Sequence, residues 1–114
     1  MTTVIVDAEN VRRSRWPNLS PERLVERVGA WAGEHGVRAL VVFDGRAPAV
    51  EPDEHLEVVG TGPESADDWI ARHAAELAEP FWLVTSDREL RSRAGGRAGK
   101  VIGGGSFVRE IDPL

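Results

Sequence analysis

Three short apolar runs, each closed by an aspartate, constrain this chain more than any other feature. Thr3-Val4-Ile5-Val6 leads into Asp7, Leu40-Val41-Val42-Phe43 into Asp44, and Phe81-Trp82-Leu83-Val84-Thr85-Ser86 into Asp87. Short runs rich in β-branched residues read as strands buried on both faces, which is the pattern of a parallel sheet. In an open α/β sheet the ligand crevice lies beyond the carboxyl ends of the strands. Three carboxylates emitted there converge, and converging carboxylates imply a divalent cation, because hard ions such as Mg²⁺ and Mn²⁺ take carboxylate and water oxygens as ligands.

The segments between these runs supply the helices such a sheet needs. A loop carrying Trp16-Pro17-Asn18 follows the first strand, Thr3 to Asp7. Ser20-Pro21-Glu22 then offers an N-cap, a proline at the first helical position and an acidic first turn. Leu24, Val28 and Trp31 keep helical spacing, and Gly36 is a C-terminal stop. Strand two is Val37 to Phe43. A weaker alternating strand covers His55 to Val59, and a second helix runs from about Ser65 to Glu79 with Ile70, His73 and Leu77 on one face, stopped by Pro80. Strand four is Phe81 to Thr85, a short helix starts near Asp87, Lys100 to Ile102 is a fifth strand, and Ser106 caps a final turn. Gly103-Gly104-Gly105 reads as a flexible turn. The alternation predicts one α/β domain over residues 1–114 with a mainly parallel sheet covered on both faces. Its weakest step is Asp44 to Glu54, which is too short for a crossover helix. Strand three is therefore either a parallel partner reached by a bent loop or an irregular edge.

At 114 residues, 41% hydrophobic and 29% charged, the composition is that of one globular domain, and no apolar stretch is long enough to span a bilayer. The start lacks a basic n-region, which predicts no secretory signal and a cytoplasmic protein. Without cysteine there are no thiolate metal sites, and His35, His55 and His73 are spaced too widely for a zinc cage. The net charge of −5 is unevenly spread: Glu51 to Glu79 holds nine acids and one arginine, whereas Arg88 to Lys100 holds five bases and one acid. Arg12, Arg13 and Arg15 form a second basic group. A basic stripe beside a carboxylate cluster suits a metal-dependent enzyme acting on phosphodiesters, and the blander reading is a solvated, arginine-rich surface.

The acids divide by what else could explain them. Asp87 can simply cap the helix after it, and Asp68 can be a solvated first-turn acid. Asp7 and Asp44 leave buried strands and need a partner there. Ala94-Gly95-Gly96-Arg97-Ala98-Gly99-Lys100 mimics a phosphate-binding loop but precedes a strand where such a loop must follow one. His73 reads as a packed core histidine, and Glu110 as a surface acid.

Val-Asp-Ala-Glu-Asn-Val at 6–11, Val-Val-Phe-Asp-Gly at 41–45, Glu-Ser-Ala-Asp-Asp-Trp-Ile at 64–70 and Val-Thr-Ser-Asp-Arg at 84–88 together resemble the NYN family, especially its YacP-like branch, relatives of PIN-domain nucleases. The resemblance spans nearly the whole chain. It implies a Rossmann-like sheet of order 3-2-1-4-5 and a divalent-metal endoribonuclease site using Mg²⁺ or Mn²⁺. Carried over by motif, Asp7, Asp44, Asp67 and Asp87 form the acidic quartet that holds metal. Asn10 matches the family's asparagine, and Ser86 the small hydroxyl beside the last aspartate. Ala8 and Glu9 stand where the family commonly has Gly-Tyr. RNA is the implied partner, with structured or ribosome-associated RNA among the candidates, and products carry a 5′-phosphate and a 3′-hydroxyl.

Arg12, Arg13, Arg88, Arg91 and Arg93 are candidates for gripping the RNA backbone. Trp16 can stack on a base, although the stronger reading is that it covers the core edge from its loop. Two other readings stay open: a catalytically idle RNA- or protein-binding domain, and a phospho-acceptor receiver domain built on Asp7, Thr85 and Lys100.

Overall fold

Each aspartate-terminated run becomes a strand of one sheet. The computed structural model describes residues 1–113, with strands β1 (Thr3–Asp7), β2 (Arg38–Phe43), β3 (Leu56–Gly60), β4 (Phe81–Val84) and β5 (Lys100–Ile102). They pair in the order β3-β2-β1-β4-β5, every pair parallel. β1 is therefore central, flanked by β2 through Asp7↔Val42 and by β4 through Val6↔Val84. All five carboxyl ends lie along one edge of the sheet. The connection from β2 to β3 is a bent loop to a parallel partner, and β3, although at the edge of the sheet, pairs in continuous register with β2 and is not irregular.

Helices cover both faces. α1 (Ala8–Arg12), α2 (Pro21–His35) and α5 (Gly104–Ile111) pack Val11, Leu24, Val28, Trp31, Phe107 and Val108 against Val4, Val6, Val41 and Phe43. α3 (Ala66–Glu76) and α4 (Arg88–Ala94) pack Ala66, Ile70, Leu90 and Ala94 against Ile5, Leu40, Val42 and Leu83. Alternate residues of one strand thus feed opposite cores, as the period of two in a strand requires. No described helix is long and apolar enough to cross a membrane.

The helix signals act as read. Ser20 Oγ accepts from the Arg23 amide at 3.1 Å, Pro21 opens α2, and Gly36 closes it at φ +62°. Three local expectations are corrected. Residues 8–12 are the short helix α1 and not loop. Gly103, and not Ser106, caps α5, with Gly104 and Gly105 inside its first turn. Proximity requires glycine at 104: a Cβ there would stand 2.5 Å from Asn10 Oδ1 and 2.6 Å from Ser14 Oγ. Trp16 does not cover the core edge. It is 86% exposed.

Asp112, just past α5, is 2% exposed and gathers three arginines. Arg15 Nη1 donates to its backbone carbonyl at 2.6 Å and Arg15 Nη2 to its carboxylate. Arg23 donates to both carboxylate oxygens at 3.1 and 2.9 Å, and Arg27 Nε stands 3.1 Å from Oδ1 as an ion pair without hydrogen-bond alignment. These hydrogen bonds, Arg23's foremost, hold the Asp112 carboxyl down to about 2.

Candidate active site

Parallel strands bring the acids to one place. Asp7, Asp44, Asp67 and Asp87, joined by Glu9, Asn10, Arg13 and Ser14, line one cleft of about 360 Å³ at the carboxyl edge of the sheet. Asp7 is the last residue of β1, Asp44 follows β2, Asp67 sits in the first turn of α3 and Asp87 is the N-cap of α4.

Each carboxylate is positioned by the framework. Asp44 Oδ1 accepts from the Ala66 amide at 2.7 Å, which ties the end of β2 to the start of α3. The turns beneath it are tight: Gly45 has φ +67°, and a Cβ on Gly60 would stand 2.6 Å from Gly45 O, so both positions require glycine. Asp87 Oδ1 accepts from the Leu90 amide at 3.0 Å, so its capping role is real and occupies one oxygen. The Asp87 amide donates to Thr85 Oγ1 at 3.1 Å, and that hydroxyl in turn donates to Asp7 Oδ2 at 2.9 Å. Asn10 Oδ1 accepts from the Ser86 amide at 2.8 Å, and Ser86 Oγ accepts from the Gly104 amide at 2.8 Å. Asn10 and Ser86 thereby join α1, the segment after β4 and the start of α5 at the side of the cleft.

The repulsion is only partly compensated. Burial pushes the Asp7 carboxyl up to about 6, the Thr85 hydrogen bond opposes this, and repulsion from Asp67 and Asp87 adds to it. Asp67 is also raised, by burial first and then by Asp87 and Asp44, with Arg93 opposing. A divalent cation among these oxygens would relieve that repulsion, and the donors are hard oxygens of the kind Mg²⁺ and Mn²⁺ take. Among the described residues no three acids or histidines stand close enough together to enclose an ion. The spacing fits an ion held by one or two carboxylates with water and phosphate completing its shell, as Mg²⁺ prefers, better than an all-protein cage.

The five arginines separate. Arg12 turns inward, with Nη1 donating to Glu9 at 2.6 Å and Nε to Leu19 O at 3.0 Å, so a phosphate would have to displace two internal contacts there. Arg91 Nε donates to Thr85 O at 2.9 Å, and Arg93 pairs with Asp68 at 2.9 Å, so a phosphate would compete with an internal contact at either. Arg13 is exposed at the rim, 3.4 Å from Glu9, and Arg88 is exposed on the first turn of α4. His73 is half-buried and stacked on Trp69. Glu110, read as a surface acid, accepts from Trp31 Nε1. Thr85 is fully buried beside Asp7, and only its place at the end of a strand hinted at that role. Ser14 and Gly104 gave no signal.

An all-parallel 3-2-1-4-5 sheet with an acidic cleft at its carboxyl edge defines the PIN-like nuclease fold. The chain belongs to the YacP-like NYN domain family, whose profile matches residues 4–114. The crystal structure of Rae1 (YacP) from Bacillus subtilis is similar with a TM-score of 0.72 at 23% identity, covering 98% of this chain and 74% of that one. The crystal structure of its W164L mutant gives 0.74 at 24% identity, covering 98% and 76%. At that identity the likeness is one of fold. No curated protein matches the sequence. The family sets aside the receiver reading, and β3 runs into Thr61-Gly62 where a receiver needs its acceptor aspartate.

Proposed function

We propose that this protein is a divalent-metal-dependent endoribonuclease whose site is the cleft formed by Asp7, Asp44, Asp67 and Asp87. The observation that carries the reading is Asp7, a carboxylate buried at the end of the central strand and pushed up to about 6, with further acids and no buried counter-charge beside it. Structural carboxylates are buried with their partners, and a fold tolerates an unpaired one where function needs it.

One or two of Asp7, Asp44, Asp67 and Asp87 would hold Mg²⁺ or Mn²⁺ directly, with water and the phosphate supplying its other ligands. When bound, the cation supplies an acidified water and neutralises charge on the phosphate. The chain's own contributions are positional. Thr85 fixes the Asp7 carboxylate, the α3 and α4 amides fix Asp44 and Asp87, and the Asn10–Ser86 bond ties α1 to the segment that carries Asp87. Arg13 and Arg88 offer exposed cations to the RNA backbone.

The test is cleavage of labelled single-stranded and structured RNA in Mn²⁺, Mg²⁺ or EDTA by wild type, Asp7→Asn and Asp87→Asn. Asparagine remains a good N-cap at 87 and a hydrogen-bond acceptor for Thr85 at 7, so both variants should fold. Metal-dependent cleavage lost in both supports the reading. Equal cleavage by all three sinks the site, and no cleavage together with no Mn²⁺ stabilisation leaves an idle NYN domain.

A further inference from the structure

Trp16 is 86% exposed, far more than Val50 and Val101, the other large non-terminal hydrophobics that reach solvent, at 40% and 37%. Its loop is nevertheless firmly held. The Leu19 amide donates to Arg12 O at 3.1 Å, Arg12 Nε donates back to Leu19 O at 3.0 Å, and Leu19 is buried. Arg15 points inward to Asp112, so the adjacent Trp16 faces outward from a pinned backbone. The loop also borders the acidic cleft. Arg13 and Ser14 line it, and two residues of chain place the Trp16 Cα within about 7 Å of that of Ser14.

We infer that Trp16 is a stacking platform for an unpaired base of the RNA whose phosphate enters the cleft, an inference that rests on the nuclease reading. An aromatic face beside a cationic rim is how sequence-tolerant single-strand sites are built. The neighbours favour RNA over a protein partner. A protein hot spot sits at the centre of a packed apolar patch, whereas Trp16 shares its loop with Arg13, Ser14, Arg15, Asn18 and Ser20; of the apolar loop residues Leu19 is buried, which leaves Pro17 at the surface beside it. Arg13, three residues before Trp16 and on the lining of the cleft, adds a cation for the phosphate flanking the stacked base. A pinned loop also loses little freedom on binding, so the ring's contact area converts more fully into affinity. The consequence is specificity for unpaired RNA: a base locked in a duplex cannot reach the ring.

The test is steady-state cleavage in Mn²⁺, with parallel binding of the same RNAs by fluorescence anisotropy in EDTA. The proteins are wild type, Trp16→Ala and Trp16→Phe, and the RNAs are an intact single strand and a series with one abasic nucleotide moved along it. Trp16→Ala should raise KM about 5- to 150-fold, the loss expected of one base stack, and lower kcat much less. Trp16→Phe should stay within about 3-fold of wild type. At one position the abasic RNA should weaken wild type by a similar factor, and Trp16→Ala should lose nothing more there, because both changes remove one contact. Unchanged KM in Trp16→Ala, or losses that multiply at every position, overturns the inference while cleavage by wild type leaves the nuclease reading intact. Binding that depends on Trp16 without any cleavage supports stacking and removes the nuclease. Neither binding nor cleavage by wild type overturns both.

Discussion

Asp7 and Asp112 are nearly equally hidden from solvent, 5% and 2% exposed, yet the protein treats them oppositely. Asp112 is covered by three guanidiniums and its carboxyl is held down to about 2. Asp7 is met by neutral hydrogen-bond donors, Thr85 foremost, and by the fields of Asp67 and Asp87, and its carboxyl is pushed up to about 6. Exposure alone is therefore a poor guide to function. What distinguishes the two is countercharge: a carboxylate supplied with it fastens the fold, and one denied it is kept available for something else.

The comparison can be broken from either end. Removing the fastened carboxylate should do most damage, because Asp112→Ala leaves Arg15 facing a buried gap. Loss of about 3 kcal/mol is expected, about 10 °C or more in Tm, measured by thermal or urea unfolding. Asp7→Asn should act in the opposite direction. It keeps an acceptor for Thr85 and removes a disfavoured charge, so at pH 8 it should raise stability by about 2 kcal/mol while abolishing cleavage and the Tm gain from Mn²⁺.

The pH profile separates the same two groups. The folded state holds the Asp7 proton more tightly than the unfolded chain, so Asp7 makes stability fall as pH rises from about 4 to about 6. The folded state holds the Asp112 proton less tightly, so that contribution is complete above about pH 4 and is lost as pH falls through about 2. Urea titrations across this range should lose the first slope in Asp7→Asn and the second in Asp112→Asn. The smallest effect should come from Glu9→Gln. Glu9 lines the cleft but already pairs with Arg12 and Arg13, at 2.6 and 3.4 Å, so stability should change by less than about 1 kcal/mol and cleavage should persist.

The aspartate-terminated runs made the sheet and its acidic edge legible in the sequence, because β-branched runs and strand-end acids are local signals. Asp112 was not legible at all. Its partners Arg15 and Arg23 lie 97 and 89 residues away, and nothing in Ile111-Asp112-Pro113 indicates them. Trp16 was misread because a tryptophan's size favours burial, whereas here the inward turn of Arg15 commits the next residue to solvent. Arg12 looked free because intramolecular bonds to Glu9 and Leu19 O depend on the α1 turn, which five residues without apolar periodicity did not announce. The glycines at 103–105 read as a flexible turn from propensity alone, whereas Gly103 caps α5 and Gly104 packs closely on Asn10 and Ser14 within its first turn.

The central position of β1 also bears on how the protein comes into being. β1 has β2 on one side as soon as residues 38–43 exist, but its other edge waits for β4, residues 81–84, which also brings Thr85 to Asp7 and Asp87 to the cleft. A chain still short of that pairing lacks the fourth acid of the cleft and the hydroxyl that holds the first. A protein proposed to destroy RNA would thus carry an incomplete cleft while it is being made from RNA.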